Sequence, residues 1–209
     1  YLYRLTMNGR VQTGVVGQAS VEEYYGDLIK KHELTRPDKE DDRVNHMRTL
    51  NVQPEPVFLA YRAHAEIDAL VHSLVQAEPE YAFEADDGVQ HEWWTIADAQ
   101  VTARLEELFS EVDCFYVADG HHRTAAAARV GKERSEINPR HTGAEPYNYL
   151  LAVVFPVVAL VMVWRISRPD MGYFRWSLGS VRGAVVVVLD IFALAVSLFV
   201  GWGIMSGFF

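Results

Sequence analysis

The sequence predicts an α+β domain followed by a hydrophobic, membrane-type tail. Three observations carry that prediction. Strand and helix patterns alternate irregularly through the first 148 residues, with two hairpin signals. A strand-to-helix turn at residues 119–123 gathers an unusual set of polar groups. Beyond Asn148 the composition changes abruptly: residues 1–147 hold 26 of the 28 acidic residues and 15 of the 19 Lys and Arg, a net charge of −11, whereas residues 148–209 carry a net of +2. The division expected is a domain over 1–148 and a tail over 149–209.

Tyr1–Thr6 and Val11–Val16 flank Asn8-Gly9, a strong hairpin-turn dipeptide. Ser20-Val-Glu-Glu23 has the spacing of a capping box, so a short helix follows Ser20. Pro37 suits the first turn of a helix that runs to about Leu50, with Val44, Met47 and Leu50 as a narrow apolar stripe. After Pro54 and Pro56, Val57–Tyr61 reads as a buried strand, and Glu66–Ala77 as a helix with Ile67, Leu70, Val71 and Leu74 at helical spacing. Tyr81–Ala85 and Val89–Ile96 form a second hairpin around Asp86-Asp87-Gly88. Alternation within it sends His91 and Trp93 to one face and Trp94 to the other, which suits core packing better than chemistry. Ile96–Ser110 is an amphipathic helix. Cys114–Ala118 is a short strand broken by Asp119-Gly120, and Thr124–Arg129 is a helix closed by Gly131.

The tail is read separately. Nineteen residues between Glu145 and Arg165 carry no charge. Within them Tyr149–Phe155 is either a buried strand stopped by Pro156 or part of a first membrane stretch over 149–164. Gly183–Phe209, 27 residues with Asp190 as the single charge, would span about 40 Å as a helix, against a hydrocarbon core of about 30 Å. Asp190 at mid-bilayer would cost up to about 3 kcal/mol, which the Val, Leu, Ile and Phe run outweighs. Residues 183–209 are therefore expected to span a membrane. Arg165, Arg168, Arg175 and Arg182 would place the intervening loop in the cytoplasm and, with two spans, residues 1–147 outside. Tyr1 opens directly on strand-like sequence, so the natural start is expected upstream.

Composition excludes some functions. An acidic domain without clustered Lys and Arg does not suit a nucleic-acid surface. With Cys114 as the single cysteine, no intrachain disulfide forms. Neither a Walker loop, a dinucleotide fingerprint nor a nucleophile elbow occurs. His46, His64, His72 and His141 are scattered without metal-ligand spacing.

The turn Asp119-Gly120-His121-His122-Arg123 carries the chemistry. A helix N-terminus offers free backbone N–H groups and partial positive charge to an anion such as phosphate. Arg123 adds a bidentate grip, Asp119 can hold a metal ion or take a proton, and Gly120 permits close backbone approach. The plain alternative is an ordinary polar turn at a helix start. Lys30–Arg43 is dense in titratable groups, and its plain alternative is a solvated face.

Several motifs in order, "KHELTRPDKEDDRVNHMRTLN", "PVFLAYR", "FEADDGVQHEWW" and "YVADGHHRTAAAARV", resemble the bacterial and archaeal family known as domain of unknown function 1015 over about residues 1–155. The resemblance implies a ParB/sulfiredoxin-like mixed fold, incomplete here because the family extends further at its N-terminus and continues as soluble sequence where this chain turns membrane-like. It implies an Asp-Gly-His-His-Arg turn that binds nucleotide phosphates and a relation to free serine kinases, which make O-phosphoserine from serine and ADP or ATP. On that basis Glu33 and Asp119 are the catalytic residues, Glu33 as general base. Gly120, His121, His122 and Arg123 bind phosphate, and Asp119 also meets Mg²⁺. Outside that carry-over, His32 and Arg36 are candidate substrate contacts and Lys31 and Arg43 candidate nucleotide or substrate contacts, with plain solvation as the alternative for all four. Two other functions stay open: a nucleotide-binding module without transfer chemistry, and a membrane protein carrying an inactive domain. Nucleotide chemistry places the domain in the cytoplasm, at odds with the orientation the tail arginines imply unless the tail is a fusion or frameshift join; a genuine tail would attach the domain to a membrane.

Overall fold

A computed structural model describes residues 1–157; the expected span over 183–209, the arginine loop and the remainder of 149–164 lie outside the described residues. Eight strands form one mixed sheet. In chain order they are β1 (Leu2–Met7), β2 (Arg10–Ser20), β3 (Ile29–Lys30), β4 (Val57–Arg62), β5 (Tyr81–Glu84), β6 (Gln90–Trp94), β7 (Phe115–Asp119) and β8 (Tyr149–Val157). Their spatial order is β3-β7-β4-β8-β2-β1-β6-β5. The pairs β3–β7 and β4–β8 are parallel and the other five antiparallel. Helices α1 (Val21–Tyr25), α2 (Pro37–Leu50), α3 (Ala65–Leu74), α4 (Ala99–Ser110) and α5 (His121–Ile137) complete the α+β architecture. Among the described residues no helix is long and apolar enough to cross a membrane.

Strand register shows where the core lies. Leu2 pairs with Val15, Val15 with Val154, Val154 with Leu59, and Leu59 with Val117, a row of side chains on one face of the sheet. Apolar residues of all five helices pack on that face. Val21 and Tyr24, Val44 and Met47, and Ala125–Ala128 meet Leu59, Val117, Leu150 and Ala152. Ile67 and Leu108 meet Tyr61, and Val71 and Leu74 meet Leu2 and Trp94. Leu50 departs from the expected stripe. It ends α2 beyond the sheet and is 49% exposed.

Local signals match the elements they predict. Asn8 and Gly9 both take positive φ at the β1–β2 turn. Ser20 Oγ accepts from the backbone N–H groups of Glu22 and Glu23. Trp94 is buried in the core, while His91 and Trp93 lie against Tyr3 on the other face.

Two boundaries are corrected. Helix α5 does not close at Gly131 but continues to Ile137. Gly131 is there for proximity: a Cβ would sit 2.4 Å from the Tyr147 carbonyl oxygen. Gly131→Ala is therefore expected to destabilise by about 2 kcal/mol through that clash, although alanine is the better helix former by about 1 kcal/mol. An unchanged urea midpoint would show that the 146–148 turn yields instead. The second correction concerns 149–157, which forms β8 inside the sheet, between β2 and β4, rather than opening the tail. Pro156 does not stop the strand, because β8 has outrun β2 there. Its register with β2 ends at Val154, while Pro156 pairs with Tyr61 of β4 alone, so the missing N–H costs no bond on the β2 side.

Candidate functional site

Topology brings two distant segments together. β3 runs parallel to β7, so Lys31–Arg36, which continues β3, leaves the sheet at the same end as Asp119-Gly120, which ends β7. β4 runs antiparallel to β7, with Phe58 opposite Asp119, so the residues that precede β4 reach that end too. Three chain segments thus converge on the N-terminus of α5.

Gly120 is the N-cap of α5, at φ +89°. A Cβ there would stand 3.0 Å from Arg123 Nε, so the absence of a side chain allows the guanidinium to fold back over the turn. Thr124, fully buried, donates its N–H and hydroxyl to the Gly120 carbonyl at 2.8 and 3.0 Å. The N–H groups of His121, His122 and Arg123 are the first three of the helix and have no partner within it.

Arg123 ties α5 to the end of β7 and to the segment before β4. Its Nη2 reaches Asp119 Oδ2 at 2.6 Å, and its Nη1 donates to Glu55 Oε2 at 2.9 Å and to the Pro56 carbonyl at 3.0 Å. Glu55 was not predicted from the sequence. The Pro54-Glu55-Pro56 run reads only as a break before a strand, and its position beside Arg123 depends on the β4–β7 register.

His121 is 6% exposed. Its Nδ1 lies 3.5 Å from Glu33 Oε2, and its ring meets His32 edge to face at 4.3 Å between centroids. His121 Nε2 and His32 Nδ1 are buried without a hydrogen-bond partner, an arrangement native proteins rarely leave unanswered. Burial, reinforced by neighbouring His32, pushes His121 down to about 4 against the pull of Glu33 and Asp119. Burial lowers His32 as well, against Glu33 and a backbone hydrogen bond at Val117. Both imidazoles are therefore neutral at pH 7 and available as hydrogen-bonding groups. His122 Nε2 accepts the Arg36 N–H at 3.1 Å.

Glu33, His32, His121, His122, Asp119, Gly120 and Arg123 thus fall in one cluster. Arg36 joins it through its main chain, while its guanidinium forks onto Asp38 at 3.2 and 2.8 Å. Lys31 faces α1, with Nζ 3.2 Å from the Tyr24 carbonyl and 4.1 Å from its ring centroid. Arg43 lies 3.5 Å from Asp42. Part of the charged run is structural: Asp41 takes Arg129 at 2.6 Å, and Arg48 of α2 forks onto Glu133 of α5. Among the described residues no group of three or more His, Cys, Asp or Glu is arranged to hold a metal ion. Asp119 keeps its second oxygen clear of Arg123 and its side chain is 44% exposed. A magnesium ion that arrives on phosphates needs only one or two such carboxylates.

Fold and site define a class: an α+β protein with helices on one face of an eight-stranded mixed sheet and a His-, carboxylate- and Arg-lined turn at the end of β7. The family described as protein of unknown function (DUF1015) matches residues 1–168, and the chain belongs to that family. No curated protein and no solved structure matches it.

Proposed function

We propose that this domain transfers a phosphoryl group from ATP or ADP to a small hydroxyl compound, free L-serine by its likeness to the serine kinases of the ParB-like group. The observation that carries the proposal is the convergence of the 32–36 segment on the N-terminus of α5, where His121 holds Nδ1 3.5 Å from Glu33 and leaves its buried Nε2 without a partner. Three free backbone N–H groups, the Arg123 guanidinium and the His122 ring supply an anion-binding surface, which phosphoryl transfer needs more than covalent help. Glu33, 59% exposed in its side chain, takes the proton from the substrate hydroxyl. The hydroxyl oxygen forms the new bond to phosphorus as the bond to the departing nucleotide oxygen breaks. Asp119 suits a magnesium ion, which when bound neutralises charge on the phosphate oxygens. His32 lines the substrate side of the cluster, and Arg36 fixes His122 through its main-chain N–H. A nucleotide donor places the domain in the cytoplasm, and any membrane attachment would come from residues 183–209.

The test is product formation by the full chain with Mg²⁺, ATP or ADP, and serine. Asp119→Asn and Glu33→Gln should each lower turnover by about 100-fold or more, the scale of a lost general base or charge-stabilising group. Product formation unchanged in both variants would remove these residues from the mechanism. Nucleotide binding without any phosphorylated product would leave a binding module instead.

A further inference from the structure

A second concave site lies away from the α5 N-terminus. A cavity of about 290 Å³ opens between the C-terminal end of α2, the second half of α5 and β8. Met47, Val130 and Leu150 supply its apolar wall, and Arg134, Gln18 and Asn51 its polar side. Two other polar groups at its margin are already committed. Gln53 clamps the edge of β8, donating to the Tyr149 carbonyl at 2.6 Å and accepting the Leu151 N–H at 2.8 Å. Tyr147 Oη holds Asn138 and His141 at 2.9 and 3.0 Å. Arg134 differs. The neighbouring arginines of the α2–α5 interface, Arg48 and Arg129, each engage carboxylates, whereas the half-buried Arg134 guanidinium has no ion-pair or hydrogen-bond partner among the described residues. The side-chain amides of Gln18 and Asn51 are likewise without a partner there.

We infer that this cavity binds a small monocarboxylate with an apolar body, gripped by Arg134. A guanidinium presents two parallel N–H groups that match a carboxylate. The apolar wall suits a hydrocarbon or aryl body, in the usual make-up of a small-molecule site. A single charge fits better than a phosphate dianion, because one cation faces the cavity and the C-terminal carbonyls of α2, capped at Asn51, bring partial negative charge to its rim. The site shares no lining residue with the His121 cluster, so it stands independently of the phosphoryl-transfer proposal.

The probe is phenylacetate, with phenylacetamide as its uncharged isostere, followed by ligand-observed NMR titration of the full chain in one detergent throughout. The expected result is saturable phenylacetate binding that Arg134→Gln weakens at least tenfold and Arg123→Gln leaves unchanged, with phenylacetamide bound no better than phenylacetate is by Arg134→Gln. Arg134 lies on a helix surface, so this variant should fold, which its circular dichroism would verify. Equal binding of phenylacetate by wild type and Arg134→Gln, equal binding of the amide, or no phenylacetate binding would each overturn the inference.

Discussion

The Arg123→Ala variant is expected to lose affinity for ATP and ADP by about 100-fold, since hydrogen bonds to a charged group are worth about 1.5–3 kcal/mol each and a guanidinium places two at once. Arg123 sits at the only point where α5, the end of β7 and the segment before β4 share one side chain among the described residues. Its present partners, Glu55 and Asp119, are carboxylates, and an incoming phosphate would compete with them for the same donors. Glu55→Gln should therefore tighten nucleotide binding several-fold while Arg123→Ala weakens it. The fold should tolerate both changes. Glu55 and Asp119 have side chains 64% and 44% exposed, so water solvates them when the guanidinium is removed, and exposed pairs contribute about 1 kcal/mol or less. Calorimetric titration of wild type and the two variants with Mg²⁺ and ADP checks the pattern. Undiminished ADP binding by folded Arg123→Ala would place the phosphate site elsewhere.

How much of this was legible depends on how local each determinant is. The turn at 119–123 is visible in sequence because a strand pattern, a Gly and a helix pattern adjoin within ten residues, and the structure places Gly120 at the N-cap as that order demands. Elements with their own periodicity or turn chemistry, such as α3, α4 and the two hairpins, could be read directly. Gly131 misled because glycine marks a helix end by φ preference, whereas here it serves a close approach of the Tyr147 carbonyl, a contact made by a residue sixteen positions away. Tyr149–Val157 stayed ambiguous because an apolar run bounded by proline fits a buried strand and a membrane stretch alike. β3 has two residues, too few for any pattern, yet its parallel pairing with β7 delivers His32 and Glu33 to the site. Glu55 was invisible for a related reason, since its role follows from strand register and leaves no mark on the residues around it.

Stability should fall as the solution is acidified from pH 6.5 toward pH 4, and His121 should account for much of the fall. Its imidazole is 6% exposed and is pushed by burial, and by His32 beside it, to about 4, below the ordinary value of 6.5. Between those two values the unfolded chain binds a proton that the folded chain does not, so acid favours unfolding, and the contribution is fully present above pH 6.5 and lost as pH drops through the window. A difference of this size corresponds to roughly 3 kcal/mol at 1.36 kcal/mol per pH unit. His32, also lowered by burial, adds in the same direction. His121→Gln, which cannot titrate, should flatten the urea midpoint across pH 4–6.5 by most of that amount; a profile as steep as the wild type's would show that the burial of His121 does not govern it. Bound phosphate reverses the bias, because an anion beside the ring favours the imidazolium. Nucleotide binding at pH 5.5 should then draw a proton from the buffer, seen as a binding enthalpy that changes with buffer ionisation heat, and His121→Gln should abolish the uptake. The same buried nitrogen that costs the free protein stability in acid would thus gain its partner when phosphate arrives at the α5 N-terminus.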